Sequence, residues 1–203
     1  MNGAASSISE IQHDVLRELI NIGIGNAAGV LNQMVGAHVT LRVPQVEILS
    51  PTELLQQTSS CGWGRSVVIH IAFGGSFEGL AALVFSPQSA TTLFSLLVGQ
   101  EDFGLDMDSL RVGTLQEVGN IVLNGVMGAI GNMLSEHIEY MPPDYSEDDV
   151  ASILPRDVGS VIIFVRANFL IQEHLVEGEV LIFFNTTTLL ELLKKIDARL
   201  EPC

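Results

Sequence analysis

The sequence predicts an α/β protein of pseudo-twofold symmetry, a six-stranded sheet covered by long helices. Three observations carry that expectation. One set of residues recurs at a constant spacing of 99 positions. Each recurrence opens on a long amphipathic helical pattern. Each then continues through apolar runs of strand length to a closing helix. The chain has 203 residues, 47% of them hydrophobic, with a mean hydropathy of +0.40. That is enough apolar material for a substantial core. Polar or charged residues interrupt every apolar stretch before it reaches the ~18 residues of a membrane span. The first residues lack the basic and apolar regions of a secretory signal. The expectation is a soluble, cytoplasmic protein with no membrane contact.

The repeat is visible residue by residue. Glu18-Leu-Ile-Asn21 returns as Glu117-Val-Gly-Asn120, Pro44 as Pro143, and Glu78-Gly79 as Glu177-Gly178. Leu93 and Leu96-Leu97 fall on Leu192 and Lys195-Ile196. The spacing is disturbed only in the middle, where Ser66-Val67-Val68-Ile69 matches Ser160-Val161-Ile162-Ile163 at 94. Equal elements joined by unequal loops produce such a pattern. Residues 1–203 then read as one domain of two repeats, about 8–100 and about 110–200, with an acidic linker at 101–109 containing Asp102, Asp106 and Asp108.

Repeat one begins with Leu16, Ile20, Ile24, Ala27, Leu31 and Val35, which step by three and four and form an apolar stripe. Asp14, Glu18, Asn21 and Gly25 make a second, polar stripe. Ser7 and Glu10 have capping-box spacing ahead of this helix, and Gly36 suits its end. Strands are expected near His38–Leu49, Ser66–Phe73 and Glu78–Phe85, with Gly74-Gly75 as the turn between the last two. A helix follows from Pro87, a residue suited to a first turn, to Leu97. In repeat two, Leu115, Val118, Val122, Val126, Ile130 and Met133 form the core stripe, and Glu117, Asn120 and Asn124 the polar one. Strands near Glu136–Tyr140, Gly159–Ala167 and Gly178–Phe184 and a helix over Thr187–Arg199 complete the copy. The acidic run from Glu136 to Asp157 reads as a solvated loop.

Net charge is −15, from 24 acidic and 9 basic residues. Such a surface repels nucleic acid and anionic lipid and steers in a partner with a basic rim. Cys61 and Cys203 are isolated and read as free thiols. His13, His38, His70, His137 and His174 show no ligand spacing, so the chain itself is expected to bind no metal. Trp63, in a loop with Cys61, is a packed tip or a partner contact. Gly23-x-Gly25-x-x-Ala28 imitates a dinucleotide fingerprint, but a helix precedes it where a strand is required. Those small residues, with Ala27 and Gly29, instead suit close helix packing.

One constellation carries chemistry. Asp14-x-x-x-Glu18-x-x-Asn21 places three polar side chains on one helical face, and Pro44 follows Asn21 after 22 residues. Repeat two keeps Glu117, Asn120 and Pro143 at the same spacing, with Gly113 in place of the leading acidic residue. This double pattern resembles the CheC/CheX/FliY family of response-regulator phosphatases, whose motif is Asp or Ser, Glu, Asn and a distant Pro. The likeness covers nearly the whole chain and is greatest to the two-site CheC type. Gly113 departs from the motif.

The resemblance implies hydrolysis of the aspartyl phosphate of a CheY-like response regulator in chemotaxis signalling. Asn21 and Asn120 would orient the attacking water. Glu18 and Glu117 would contact the regulator's phosphate-site lysine. Asp14, Gly25 and Asn124 would touch the partner, Gly25 leaving room for close approach where Asn124 fills the same position in repeat two. Mg²⁺ would belong to the regulator and not to this chain. The internal repeat supplies the symmetry that a one-copy relative gains by dimerising, so a monomer is expected. Another class remains open on these residues: a non-catalytic adaptor that binds phosphorylated regulator or the chemoreceptor deamidase CheD. A flagellar-switch component, as in FliY, is a third reading, disfavoured by the lack of a further switch-type domain in 203 residues.

Overall fold

The computed structural model describes residues 8–35, 38–61, 64–98, 107–154, 160–171 and 173–200. Ser7, Gly36, Trp63 and positions 101–106 of the expected linker lie outside them.

Helix α1 spans Glu10–Val35. Its capping box uses Ser9 and Gln12, in place of the expected Ser7 and Glu10. The Gln12 N–H donates to the Ser9 hydroxyl at 3.2 Å, and the Ser9 N–H donates to Gln12 Oε1 at 2.9 Å. Strand β1 (Val39–Leu49) follows, then helix α2 (Pro51–Cys61), which sequence periodicity did not reveal. Ser50 and Glu53 form the capping box of α2, and Cys61 is its last residue, not part of a loop. Repeat one ends with β2 (Arg65–Gly75), β3 (Gly79–Phe85) and α3 (Pro87–Val98). Repeat two comprises α4 (Met107–Leu134), β4 (Ile138–Tyr140), β5 (Asp144–Asp149), a 3-10 turn at Val150–Ile153, β6 (Ser160–Ile171), β7 (His174–Asn185) and α5 (Thr186–Leu200). Positions 107–109 of the expected linker are thus helical.

The strands form one antiparallel sheet in the order β1-β6-β7-β3-β2-β4, with β5 also pairing β2. The first strand of each repeat lies on the other repeat, β1 beside β6 and β4 and β5 beside β2. The symmetry axis can be located from the central pair. Ala82 faces Leu181, its own equivalent 99 positions on, while Leu80 faces Phe183 and Val84 faces Glu179. Each flanking pair is the other's image, so the pseudo-twofold axis passes between Ala82 and Leu181. The repeats complete one sheet instead of forming two separate units.

The sheet has seven strands where six were expected, and proline is the reason. Proline has no N–H for the ladder, so it is confined to edges, bulges and breaks. In β1 the register shifts between Arg42 and Gln45, around Pro44. The apolar phase shifts there too, from Val39, Leu41 and Val43 to Val46 and Ile48, as one extra residue in a bulge requires. In repeat two, Met141-Pro142-Pro143 splits the equivalent strand into β4 and β5. The acidic segment expected to be loop is therefore partly strand. Its Asp144, Glu147, Asp148 and Asp149 lie on the edge strand β5, where charge opposes pairing with another chain. Gly74-Gly75 is also not the turn. Both belong to β2 and pair with β4, and Gly75 has φ +101°, with the His137 carbonyl oxygen 2.7 Å from where a Cβ would stand. The chain turns at Ser76–Glu78, with Phe77 buried.

Alternation along the strands sorts the core into two layers. Ile69, Ile71, Leu83, Phe85, Ile163, Val165, Val180 and Ile182 face the layer of α1, α3, α4 and α5. Val68, Ala82, Val84, Ile162, Phe164, Leu181 and Phe183 form the smaller outer layer with Leu54 of α2 and Val150. No helix among the described residues is long and apolar enough to cross a membrane.

Glu179 of β7, between Val84 and Arg166, is half-buried. Burial pushes its carboxyl up to about 7; Glu177 adds to the rise and Arg166 opposes it. The folded chain therefore holds this proton over a pH range in which the unfolded chain, near 4.5, has released it. The resulting stability is complete below about pH 4.5 and is lost as pH rises through about 7. Glu179→Gln is expected to stabilise by roughly 1–3 kcal/mol at pH 8 and to give no gain below the unfolded pKa. Thermal melts of both proteins across that range test it. A difference in Tm that does not change with pH would show that the Glu179 carboxyl titrates normally.

Candidate functional site

Helices α1 and α4 pack against each other at glycines. A Cβ on Gly23 would stand 2.5 Å from Val126 Cα and 2.6 Å from the Gly125 carbonyl oxygen. A Cβ on Gly125 would stand 2.7 Å from the Gly23 carbonyl oxygen and 3.2 Å from Ala27 Cβ. Gly23 and Ala27 therefore serve close packing as the sequence suggested, whereas Gly25 and Gly29 are exposed with open space around them. Leu16, Ile20, Ile24, Ala27 and Leu31 are buried on α1, as are Leu115, Val118, Val122, Val126 and Ile130 on α4; Met133 is half-buried. These two stripes fix which way the polar faces point.

In repeat one, Asp14, Glu18, Asn21 and Gly25 are all exposed. Asp14 Oδ1 pairs with Arg17 at 3.0 Å, both side chains more than half exposed. A pair of that kind stabilises little, but it gives the Asp14 carboxylate a partner on its own helix. In repeat two, Glu117 is exposed while Asn120 and Asn124 are half-buried. Asn124 Nδ2 donates to Asn120 Oδ1 at 2.8 Å. Gly113 is exposed with nothing near it.

The distant proline is tied to the motif helix. Gln116, next to Glu117, donates from Nε2 to the Pro143 carbonyl oxygen at 3.1 Å. In repeat one, the ring of His13 lies 3.1 Å from the Val46 carbonyl oxygen, two residues beyond Pro44. Each helix is thus anchored to its following strand where proline interrupts the ladder. Sequence reading missed these anchors, because Gln116 and His13 are not equivalent positions and no repeated residue marks them. It also missed a charged group beside the start of α4. There Glu147 Oε1 lies 3.8 Å from Arg111, Glu147 Oε2 lies 3.2 Å from Arg65, and the Tyr145 hydroxyl donates to Glu147 at 2.7 Å. Burial and the Glu147 contact push the Tyr145 hydroxyl up to about 12, which keeps it a donor.

Each site lies on a helix face, its Glu exposed, with Asn21 exposed and Asn120 half-buried. A depression of about 440 Å³ at the start of α1 is lined by Ile8, Ser9, Glu10, His13, Asp14 and Ile48, and does not reach Glu18 or Asn21. Side chains three apart on a helix stand ~5–6 Å apart at their Cβ atoms. Such a pair can address two neighbouring groups of a concave macromolecular partner, but it cannot enclose a small molecule. Among the described residues, no group of three or more His, Cys, Asp or Glu side chains is placed to hold a metal ion.

Two fused repeats, each with an exposed carboxylate and an amide on its long helix, the amide exposed at Asn21 and half-buried at Asn120, define a class of pseudo-symmetric α/β proteins that present two helix faces. A family model described as CheC-like matches residues 11–48, which contain Asp14, Glu18, Asn21 and Pro44. The chain is 25% identical over 181 residues to the CheY-P phosphatase CheC of Bacillus subtilis (strain 168), covering 83% of this chain and 85% of that protein. Its fold is similar to the crystal structure of Thermotoga maritima FliY, with TM-score 0.74 and 16% identity over 95% of this chain and 99% of the other. It is also similar to CheX in the Borrelia burgdorferi CheX–CheY–BeF3–Mg²⁺ complex, with TM-score 0.54 and 18% identity over 82% and 98%. The chain is thus similar to CheC-like proteins, in the motif segment 11–48 by family model and over most of its length by sequence and fold.

Proposed function

We propose that the chain hydrolyses the aspartyl phosphate of a CheY-like response regulator. The observation that carries this reading is the exposed Glu–x–x–Asn pair on α1, repeated on α4 at Glu117 and Asn120. An exposed helix face suits a partner that brings its own reacting group. The relative named as a CheY-P phosphatase and the CheX crystallised with CheY support the choice of partner.

An acyl phosphate is already activated, and what it lacks is a water held in line. Phosphoryl transfer gains mostly from positioning and electrostatics. The regulator's Mg²⁺ would offset charge on the phosphoryl oxygens. The amide of Asn21 or Asn120 accepts from and donates to the attacking water. The water oxygen bonds to phosphorus as the bond from phosphorus to the aspartyl oxygen breaks, releasing inorganic phosphate and the free carboxylate. Glu18 or Glu117, one turn away, holds the regulator's lysine. A carboxylate repels phosphate but orients an ammonium group well. Asp14, Gly25 and Asn124 border the contact, and the open space at Gly25 lets the partner backbone come close. The net charge of −15 favours a partner with a basic rim.

Phosphate release from a phosphorylated regulator, with this chain at about one-fiftieth of its concentration, tests the reading. Turnover predicts complete release at a rate proportional to added chain. Release that is unchanged, or slowed in proportion to complex formed, would identify a binding protein on this fold.

A further inference from the structure

One difference between the two sites is a hydrogen bond at the motif asparagine. We propose that Asn124 is a positioning residue that fixes the amide of Asn120, so that repeat two presents a preset amide and repeat one a free one. The inference rests on the phosphatase reading above.

Asn124 lies one turn beyond Asn120 and donates to its Oδ1 at 2.8 Å. The contact holds the Asn120 amide in one plane. Both of its N–H bonds and the second lone pair of Oδ1 remain for a water. The other half of the Asn124 amide points inward, where its Oδ1 is buried and has no hydrogen-bond partner among the described residues. Buried acceptors are nearly always satisfied. An asparagine that leaves one end unpaired while its other end grips a neighbour is poorly explained by packing alone. In repeat one the equivalent position is Gly25, which holds nothing. Asn21 is exposed, and no described residue hydrogen-bonds its side chain. Its amide is left to be ordered by the partner at each encounter.

An amide fixed before the encounter raises the rate of the chemical step without tightening binding. The test isolates the sites. In Asn21→Ala, where only repeat two can act, Asn124→Ala is expected to lower kcat by about 3- to 10-fold with KM within about twofold. In Asn120→Ala, where only repeat one can act, Gly25→Asn is expected to raise kcat while also raising KM, since this chain leaves the new side chain room but the partner approaches there. Side-chain amide relaxation by NMR reads the same contact without the reaction. The Asn120 amide should be more ordered than that of Asn21 and lose that order in Asn124→Ala. A rise in KM with kcat unchanged would make Asn124 a partner contact and nothing more, and overturn the inference. So would unchanged kinetics, or equal order at Asn120 and Asn21. If the parent protein does not accelerate phosphate release, the phosphatase reading itself fails, and Asn124 has no reaction to serve.

Discussion

Replacing both Asn21 and Asn120 with alanine is expected to remove nearly all the phosphate release that the chain adds to a regulator's own decay, a loss on the order of 100-fold or more. The size follows from the chemistry. Positioning a reactant and stabilising developing charge each supply factors of this order, and removal of one well-aimed polar group typically costs about 10²–10³ in rate. The neighbouring carboxylate on each face, Glu18 or Glu117, does not replace the amide, because a carboxylate cannot donate to a water. Folding should be affected little. Asn21 is exposed, and Asn120 loses one bond to Asn124, a change of about 1 kcal/mol. Initial rates and thermal melts on the same samples separate the two effects. A double variant that melts near the parent and still accelerates release would remove the amides from the mechanism.

Gly23→Ala is expected to cost roughly 2–4 kcal/mol and to lower Tm by about 5–12 °C. The new methyl group would stand 2.5 Å from Val126 Cα and 2.6 Å from the Gly125 carbonyl oxygen. Both are backbone atoms, so no side-chain rotation relieves the overlap and the two helices must separate. Gly25→Ala, two positions on, is the internal control. Nothing lies within 4 Å of its Cβ, and the higher helix propensity of alanine is worth about 0.5–1 kcal/mol. The two substitutions should therefore move Tm in opposite directions. A Gly23→Ala protein as stable as the parent would mean that α1 and α4 are not in backbone contact there.

Much of this was legible from the chain alone, for reasons that can be named. Elements that bury one face carry a period, so α1, α3, α4, α5 and most strands fell close to their expected bounds. The fixed spacing of 99 also foretold the symmetry. Helix α2 escaped because it covers the small outer layer mainly through Leu54, too little to impose a stripe. Strand β5 escaped because Asp144–Asp149 is held by pairing with β2, while its composition suits a loop. The seventh strand depends on how two prolines break a ladder, a backbone event that hydrophobic patterning does not report. At the candidate site, the residues of the motif and their common face were readable from spacing. What the spacing did not contain was their state: Asp14 occupied by Arg17, Asn120 held by Asn124, and Pro143 tied to Gln116. Each depends on where a side chain turns after the helix has been placed.

The central claim is that both helix faces hydrolyse aspartyl phosphate through their asparagines. Its most direct test is phosphate release from a phosphorylated CheY-like regulator by four proteins at equal catalytic amounts: the parent, Asn21→Ala, Asn120→Ala and the double variant. Independent sites predict that the added rates of the two single variants sum to that of the parent, and that the double variant adds almost nothing. A parent that adds no rate, or a double variant that adds as much as the parent, would contradict the account.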